Sequence, residues 1–144
     1  MANLVYNYFK QALLVGSFNL QGAPTIKAML VGSGYTPDGD LHVYRSSVTN
    51  EITGSNYTAG GFVVSSPLVT TNPTTNQGVL DASDILLANI TFNTAAQAAV
   101  LYGSTGLGIG SDPLIAYIDF TTGQAVTAGT FQIQWAAGGI LALT

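Results

Sequence analysis

His42 is the single histidine of this chain, and with no cysteine present it is the one side chain whose ordinary pKa suits proton transfer near neutrality. A hydrolytic role would need a serine and a carboxylate beside it, and no Gly-x-Ser-x-Gly elbow supplies the serine. Asp38-x-Asp40-x-His42 spaces three oxygen or nitrogen donors at alternate positions, as a cation loop would. It lacks the glycine after the third ligand and the closing acidic residue of a Ca²⁺ loop. Pro37-Asp38-Gly39 is a favoured turn, because proline pre-sets its own φ and Asp-Gly suits the bend, and this already accounts for Asp38. Glu51, the only glutamate, could be paired with Asp81 or Asp84 as glycosidase-type carboxylates, but Asp81-Ala-Ser-Asp84 reads more simply as a strand end capping turn amides. Gly106-Leu-Gly-Ile-Gly110 matches a phosphate-cradling loop only in its glycines, since no Lys-Ser/Thr follows and no βαβ unit surrounds it. No metal, cofactor or catalytic set is therefore expected, and the chain reads as non-enzymatic.

The elements that would position these residues are mostly strands. Val5, Tyr8, Phe9, Ala12 and Leu13 recur at spacings of three and four, which predicts a helix from Leu4 to Val15, capped by Asn3 and stopped by Gly16. So apolar a helix must be covered, either by its own domain or by a neighbouring subunit, which makes Val5, Phe9 and Leu13 candidate interface residues. Leu107 and Ile109 join them, as apolar residues on a glycine-rich loop tip. Ile26–Val31 is the first strand, and Leu41–Ser47 a short turn or helix. The period-two and β-branched runs then predict strands at Phe62–Ser66, Leu68–Thr71, Gly78–Asp81, Ile85–Phe92, Ala98–Tyr102, Leu114–Phe120, Thr130–Trp135 and Ile140–Leu143. In the last but one, Phe131, Ile133 and Trp135 alternate with Gln132 and Gln134, one face apolar and one polar. Short strands with no long helix between them predict a mainly β protein, a single antiparallel β-sandwich or barrel-like domain over residues 1–144, with an N-terminal helix in 1–16 and the sandwich in 26–144. Val48–Gly61 joins the two parts. There Asn50 and Glu51 would bond turn amides, and Gly60 and Gly61 would supply unusual backbone angles, making a structural joint rather than a site.

Composition narrows the function classes. Only 7% of the residues are charged, three basic against seven acidic, with a formal net charge of −4. Lys10, Lys27 and Arg45 form no cluster in sequence, which argues against nucleic-acid binding. Despite a mean hydropathy of +0.38, the apolar runs fall well short of the roughly 20 residues that span a bilayer. The N-terminus has no basic region ahead of its apolar stretch and does not read as a secretory signal. A neutral hydroxyl and amide surface costs little to desolvate, so the chain is expected to work in an assembly. Seven tyrosines and one tryptophan leave a carbohydrate-binding module as the alternative, with Tyr35, Tyr44 and Tyr57 in loops where a sugar could stack.

Asn3-Leu-Val-Tyr-Asn-Tyr-Phe-Lys-Gln-Ala-Leu-Leu, Thr25-Ile-Lys-Ala-Met-Leu-Val, Tyr35-Thr-Pro-Asp, Val48-Thr-Asn-Glu, Tyr57-Thr-Ala-Gly-Gly, Leu114-Ile-Ala-Tyr-Ile-Asp-Phe and Phe131-Gln-Ile-Gln-Trp, in this order, resemble a family of small virion structural proteins of tailed bacteriophages. The resemblance implies a capsid decoration or cement protein in the virion, assembled in the bacterial host cytoplasm and bridging the major capsid protein or other virion proteins. It implies a homo-oligomer, with a trimer suited to capsid three-fold positions, and brings no catalytic residues. The alternative within that setting is a head-fibre or tail-associated adhesin that binds carbohydrate.

Overall fold

The central strands are apolar on both sides, and this decides the architecture. In β2 (Thr25–Val31), Ile26, Ala28 and Leu30 face one way and Met29 and Val31 the other, and all five are buried. The long strands β8 (Ala96–Ser104) and β9 (Leu114–Gln124) repeat the pattern, so a strand buried on both faces reads as a run and not as an alternation. They lie side by side in a five-stranded antiparallel sheet, ordered β1-β9-β8-β2-β4, whose edges are β1 (Leu4–Val5) and β4 (Phe62–Val63). A computed structural model describes residues 1–21, 25–104 and 112–144.

One face of this sheet packs on two three-stranded antiparallel sheets. The first, ordered β10-β7-β3, joins β10 (Gly129–Ile133), β7 (Ile85–Phe92) and β3 (Gly54–Ser55); the second, ordered β11-β6-β5, joins β11 (Leu141–Leu143), β6 (Gln77–Asp81) and β5 (Leu68–Asn72). Ile85, Ile90, Phe92, Phe131, Ile133 and Leu80 meet Ile26, Leu30, Leu101 and Ile115 in a shared core. The protein is thus mainly β and sandwich-like, with one N-terminal helix. Among the described residues the second face of the large sheet has no sheet above it. Tyr6, Tyr35 and Val48, from the N-terminal segment and the 32–50 connection, lie over Met29, Val100, Leu114 and Tyr117 instead.

The helix is shorter than its periodicity suggests. Leu4 and Val5 pair with Tyr117 and Ala116 of β9, and α1 runs only from Asn7 to Leu14. Asn3 is not its cap; its side-chain oxygen accepts the Asp119 N–H. Tyr6 precedes the helix in extended conformation and is fully buried, so its ring and the β9 edge take the residues that helical periodicity claims. The stop is as expected: Gly16 has φ +71°, its N–H reaches the Leu13 carbonyl, and the Ser17 N–H reaches that of Ala12, which is a Schellman motif. Phe9 and Ala12 are buried in the chain's own core, and Val5 and Leu13 pack half-buried against it. The domain itself covers the helical stripe, so Phe9 is not available as an interface residue; Leu14 and Val15 are the exposed apolar residues at the helix end.

β7 keeps its expected bounds but changes face. Asn89 has φ +54°, and two residues of β10 span three of β7 between the pairs Gly129–Ile90 and Phe131–Leu87. This bulge lets Ile85 and Leu87, then Ile90 and Phe92, point inward. β4 stops at Val63, short of Ser66, while β8 and β9 extend beyond the apolar runs that mark them.

Gly61 is where the chain enters β4 against β2. It has φ +76°, and a Cβ there would lie 1.9 Å from the Ala28 carbonyl oxygen. Both backbone strain and backbone overlap oppose any side chain. Gly61→Ala should cost about 3 kcal/mol or more in urea unfolding. Gly78→Ala, where a Cβ meets nothing within 4 Å, should change stability by less than about 1 kcal/mol.

Candidate functional site

Glu51 sits at the join between the 32–50 connection and the sheets. Its backbone bridges Val31 in antiparallel fashion, and Asn50 before it takes φ +56°, its carbonyl accepting the Gly32 N–H. The Glu51 carboxylate, through Oε1, accepts the Tyr57 hydroxyl at 2.8 Å and the Gly60 N–H at 2.6 Å. The Tyr57 hydroxyl in turn accepts the Leu30 N–H at 3.1 Å, and the Gly60 carbonyl accepts the Tyr102 hydroxyl at 2.6 Å. Asn50, Glu51, Gly60 and Gly61 are therefore brought together; Glu51 and Gly60 bond backbone and phenol, and the Asn50 side chain donates to the Thr49 hydroxyl.

Beside this joint lies one of the chain's few ion pairs. Arg45 Nε lies 3.2 Å from Asp112 Oδ2, and its guanidinium lies 5.5 Å from the Tyr102 ring centroid. Arg45, Glu51 and Asp112, with Met29 and Val48, line an open depression of about 370 Å³. Sequence spacing does not reveal this grouping, because its members come from three separated segments. Arg45 is already matched by Asp112 and the aromatic face, and the Glu51 carboxylate is held by the Tyr57 hydroxyl and the Gly60 N–H, so each charged group of the depression has a partner within the fold.

A second polar chain lies under the 32–50 connection. The Asp38 N–H donates to His42 Nδ1 at 3.2 Å, so that nitrogen carries no proton; Tyr35 donates its hydroxyl to the same atom at 3.0 Å and accepts from Tyr6 at 2.9 Å. His42 also stacks on Tyr35, with ring centroids 5.6 Å apart. Asp38 Oδ1 accepts the N–H groups of Asp40 and Leu41, which hold its carboxyl below the usual range, and Asn7 donates to Asp40. These bonds stabilise a turn. Among the described residues no three His, Asp or Glu side chains are grouped as metal ligands.

The remaining candidates separate. Asp84 accepts the Trp135 N–H, far from the Glu51 partners in the chain, and Asp81 is an exposed strand end. Tyr35 is buried, Tyr57 belongs to the joint, and Tyr44 packs edge-on against Tyr8, so the three loop tyrosines do not form one exposed platform. Leu107, Ile109 and the Gly106–Gly110 motif lie outside the described residues.

One concavity among the described residues was not marked by any motif. A groove of about 570 Å³ runs between β9 and β10, lined by Phe120, Gln124 and every residue from Thr130 to Ala136. Four of these, Thr130 to Ile133, are successive residues of β10, so the groove follows that strand and continues past its end. It has no cationic lining residue, and its one acid, Asp119, already accepts Gln97 and the Thr121 N–H. The Trp135 indole N–H is spent on the Ser83 carbonyl. No family model, curated protein or solved structure matches this chain.

Two outcomes test the polar networks. Glu51→Ala leaves a phenol and an amide without their acceptor and should cost about 1–3 kcal/mol in urea unfolding, whereas Glu51→Gln keeps Oε1 and should cost less. Burial, foremost, and the neighbouring Tyr35 and Glu51 respectively raise the pKa values of Tyr6 and Tyr57. The unfolded chain then loses these protons first, so the stability is present below the ordinary tyrosine value of about 10 and is lost as pH rises beyond it. The urea midpoint should fall above about pH 10, and less steeply in Tyr57→Phe.

Proposed function

We propose that this protein is a non-enzymatic structural component of a tailed-phage virion, a decoration or cement protein that bridges capsid subunits as a homo-oligomer. The observation that carries the reading is a surface with few charges and many large exposed apolar side chains. Leu14 is 89% exposed, Leu41 76% and Leu86 65%, in a chain with three basic and seven acidic residues. A free monomer keeps itself apart from its neighbours by charge, and this surface has little to spend in that way. Contact with a repeated lattice would cover such residues and desolvate mostly hydroxyls and amides, which regain hydrogen bonds across an interface.

Further support comes from how the polar side chains are used. Glu51, His42, Asp38, Asp84 and Asp119 all accept backbone or phenolic donors within the fold. The resemblance of the ordered motifs to small virion structural proteins is the other ground for the reading. Trimers at three-fold positions of the lattice would place three copies in register with three capsid subunits.

Capsids that lack the protein provide the test. Added protein should co-sediment with them and saturate at a fixed ratio to the lattice, and the loaded capsids should survive higher temperature before releasing DNA. A monodisperse monomer that leaves purified capsids unbound would overturn the proposal.

A further inference from the structure

Six strands end the three sheets, and they are not alike. Four are minimal: β1, β3 and β4 have two residues each and β11 has three. Short edges offer few unpaired backbone groups, which is one way that proteins keep edges from pairing. The other two, β5 and β10, have five residues each. Neither Leu-Val-Thr-Thr-Asn nor Gly-Thr-Phe-Gln-Ile contains a charge or a proline, the other common protections.

Each long edge also carries a mark of an absent neighbour. Among the described residues β10 pairs only with β7, and its other side opens on the groove beside β9. β9 leaves room there because β1 ends its pairing at Tyr117, beyond which the Asn3 side chain takes the Asp119 N–H. Among the described residues β5 likewise pairs only with β6, and its first four residues are exposed on both faces, including Leu68 at 51% and Val69 at 39%.

We propose that the free edge of β10 receives β5 of a second copy of this chain as an added antiparallel or parallel strand, with backbone hydrogen bonds supplying the affinity. Leu68 and Val69 point to opposite faces of their strand. One then extends the outer row in which Gln132 stands opposite Leu86, and the other enters the groove towards Phe120 and Ile133. The contact joins different surfaces of the two copies, so it is head-to-tail and generates either a closed ring or a filament. This inference rests on the assembly reading above and specifies the contact through which copies meet.

The absence of cysteine makes a clean test possible. Gln132→Cys is made in one sample, and Thr70→Cys and Thr71→Cys separately in others; all three positions are exposed, and one of the two threonines shares a face with residue 132. On mixing in a thiol-disulfide buffer, one threonine variant should form a disulfide-linked dimer with Gln132→Cys. Neither should link to itself, and Val69→Lys should weaken self-association, measured by sedimentation, roughly tenfold or more. Self-linking of Gln132→Cys would mean a symmetric β10–β10 contact and would overturn the proposal, as would no link in either mixture. Capsid binding by the same variants separates the two readings. Binding without cross-linking would sink the strand contact alone, and cross-linking without binding would sink the virion role alone.

Discussion

The large sheet must be covered twice. β2, β8 and β9 are apolar on both faces, and leaving either wet would forfeit roughly 1.5–3 kcal/mol for each large side chain. On one side the requirement is met in the ordinary way by two small sheets and the helix. On the other it is met by the 32–50 connection and the N-terminal segment, which hold one short 3₁₀ turn, Arg45–Ser47, and otherwise little regular structure. Much of the molecule's polar chemistry follows from that second cover. A connection laid on an apolar surface must satisfy its own backbone groups, and regular pairing is not available to do it.

Tyrosine solves this, because it is apolar along its ring and polar at its tip. Tyr6, Tyr35, Tyr102 and Tyr117 fill the second face, and the hydroxyls of the first two run on to His42 and thereby to the Asp38 turn. Tyr102 and Tyr57 do the same at the far end of the connection, where their hydroxyls meet Gly60 and Glu51. The single histidine and the single glutamate are thus the two ends of one fastening. Each accepts one backbone N–H and one phenol: His42 those of Asp38 and Tyr35, Glu51 those of Gly60 and Tyr57.

The strands were legible in the sequence wherever burial imposes a pattern. Phe131-Gln-Ile alternates because β10 is buried on one face, although the strand stops at Ile133 and not at Trp135 where the alternation ends, and Ala98–Tyr102 does not alternate because β8 is buried on both. Val48–Gly61 was legible as a joint from its polar residues and glycines. What was not legible depends on partners distant in the chain. Leu4 and Val5 continue a helical stripe locally, and only β9 makes them a strand. β3 has two residues, one of them Gly54, and nothing local marks it; a Cβ there would lie 1.8 Å from the Thr91 carbonyl oxygen, a closeness visible only after β7 is placed beside it. The groove along β10 belongs to the same class, since a free edge is defined by which neighbour is missing.

The scarcity of charge connects these features. Charged side chains usually protect sheet edges and keep folded chains apart, and here they are few, several of the acidic ones being engaged by partners at or near the surface: Glu51 with Tyr57, Asp38 with its turn, Asp84 with Trp135 and Asp112 with Arg45. Seven acidic and three basic residues are all that the sequence provides to guard the outside. The result is a fold that is well fastened internally and weakly defended externally, with two uncharged five-residue edges left open. A protein selected to stay alone would place a lysine on such an edge at little cost to its core. That neither edge has one is what a chain built for repeated contact would keep, because each protective charge would have to be desolvated again whenever two copies met.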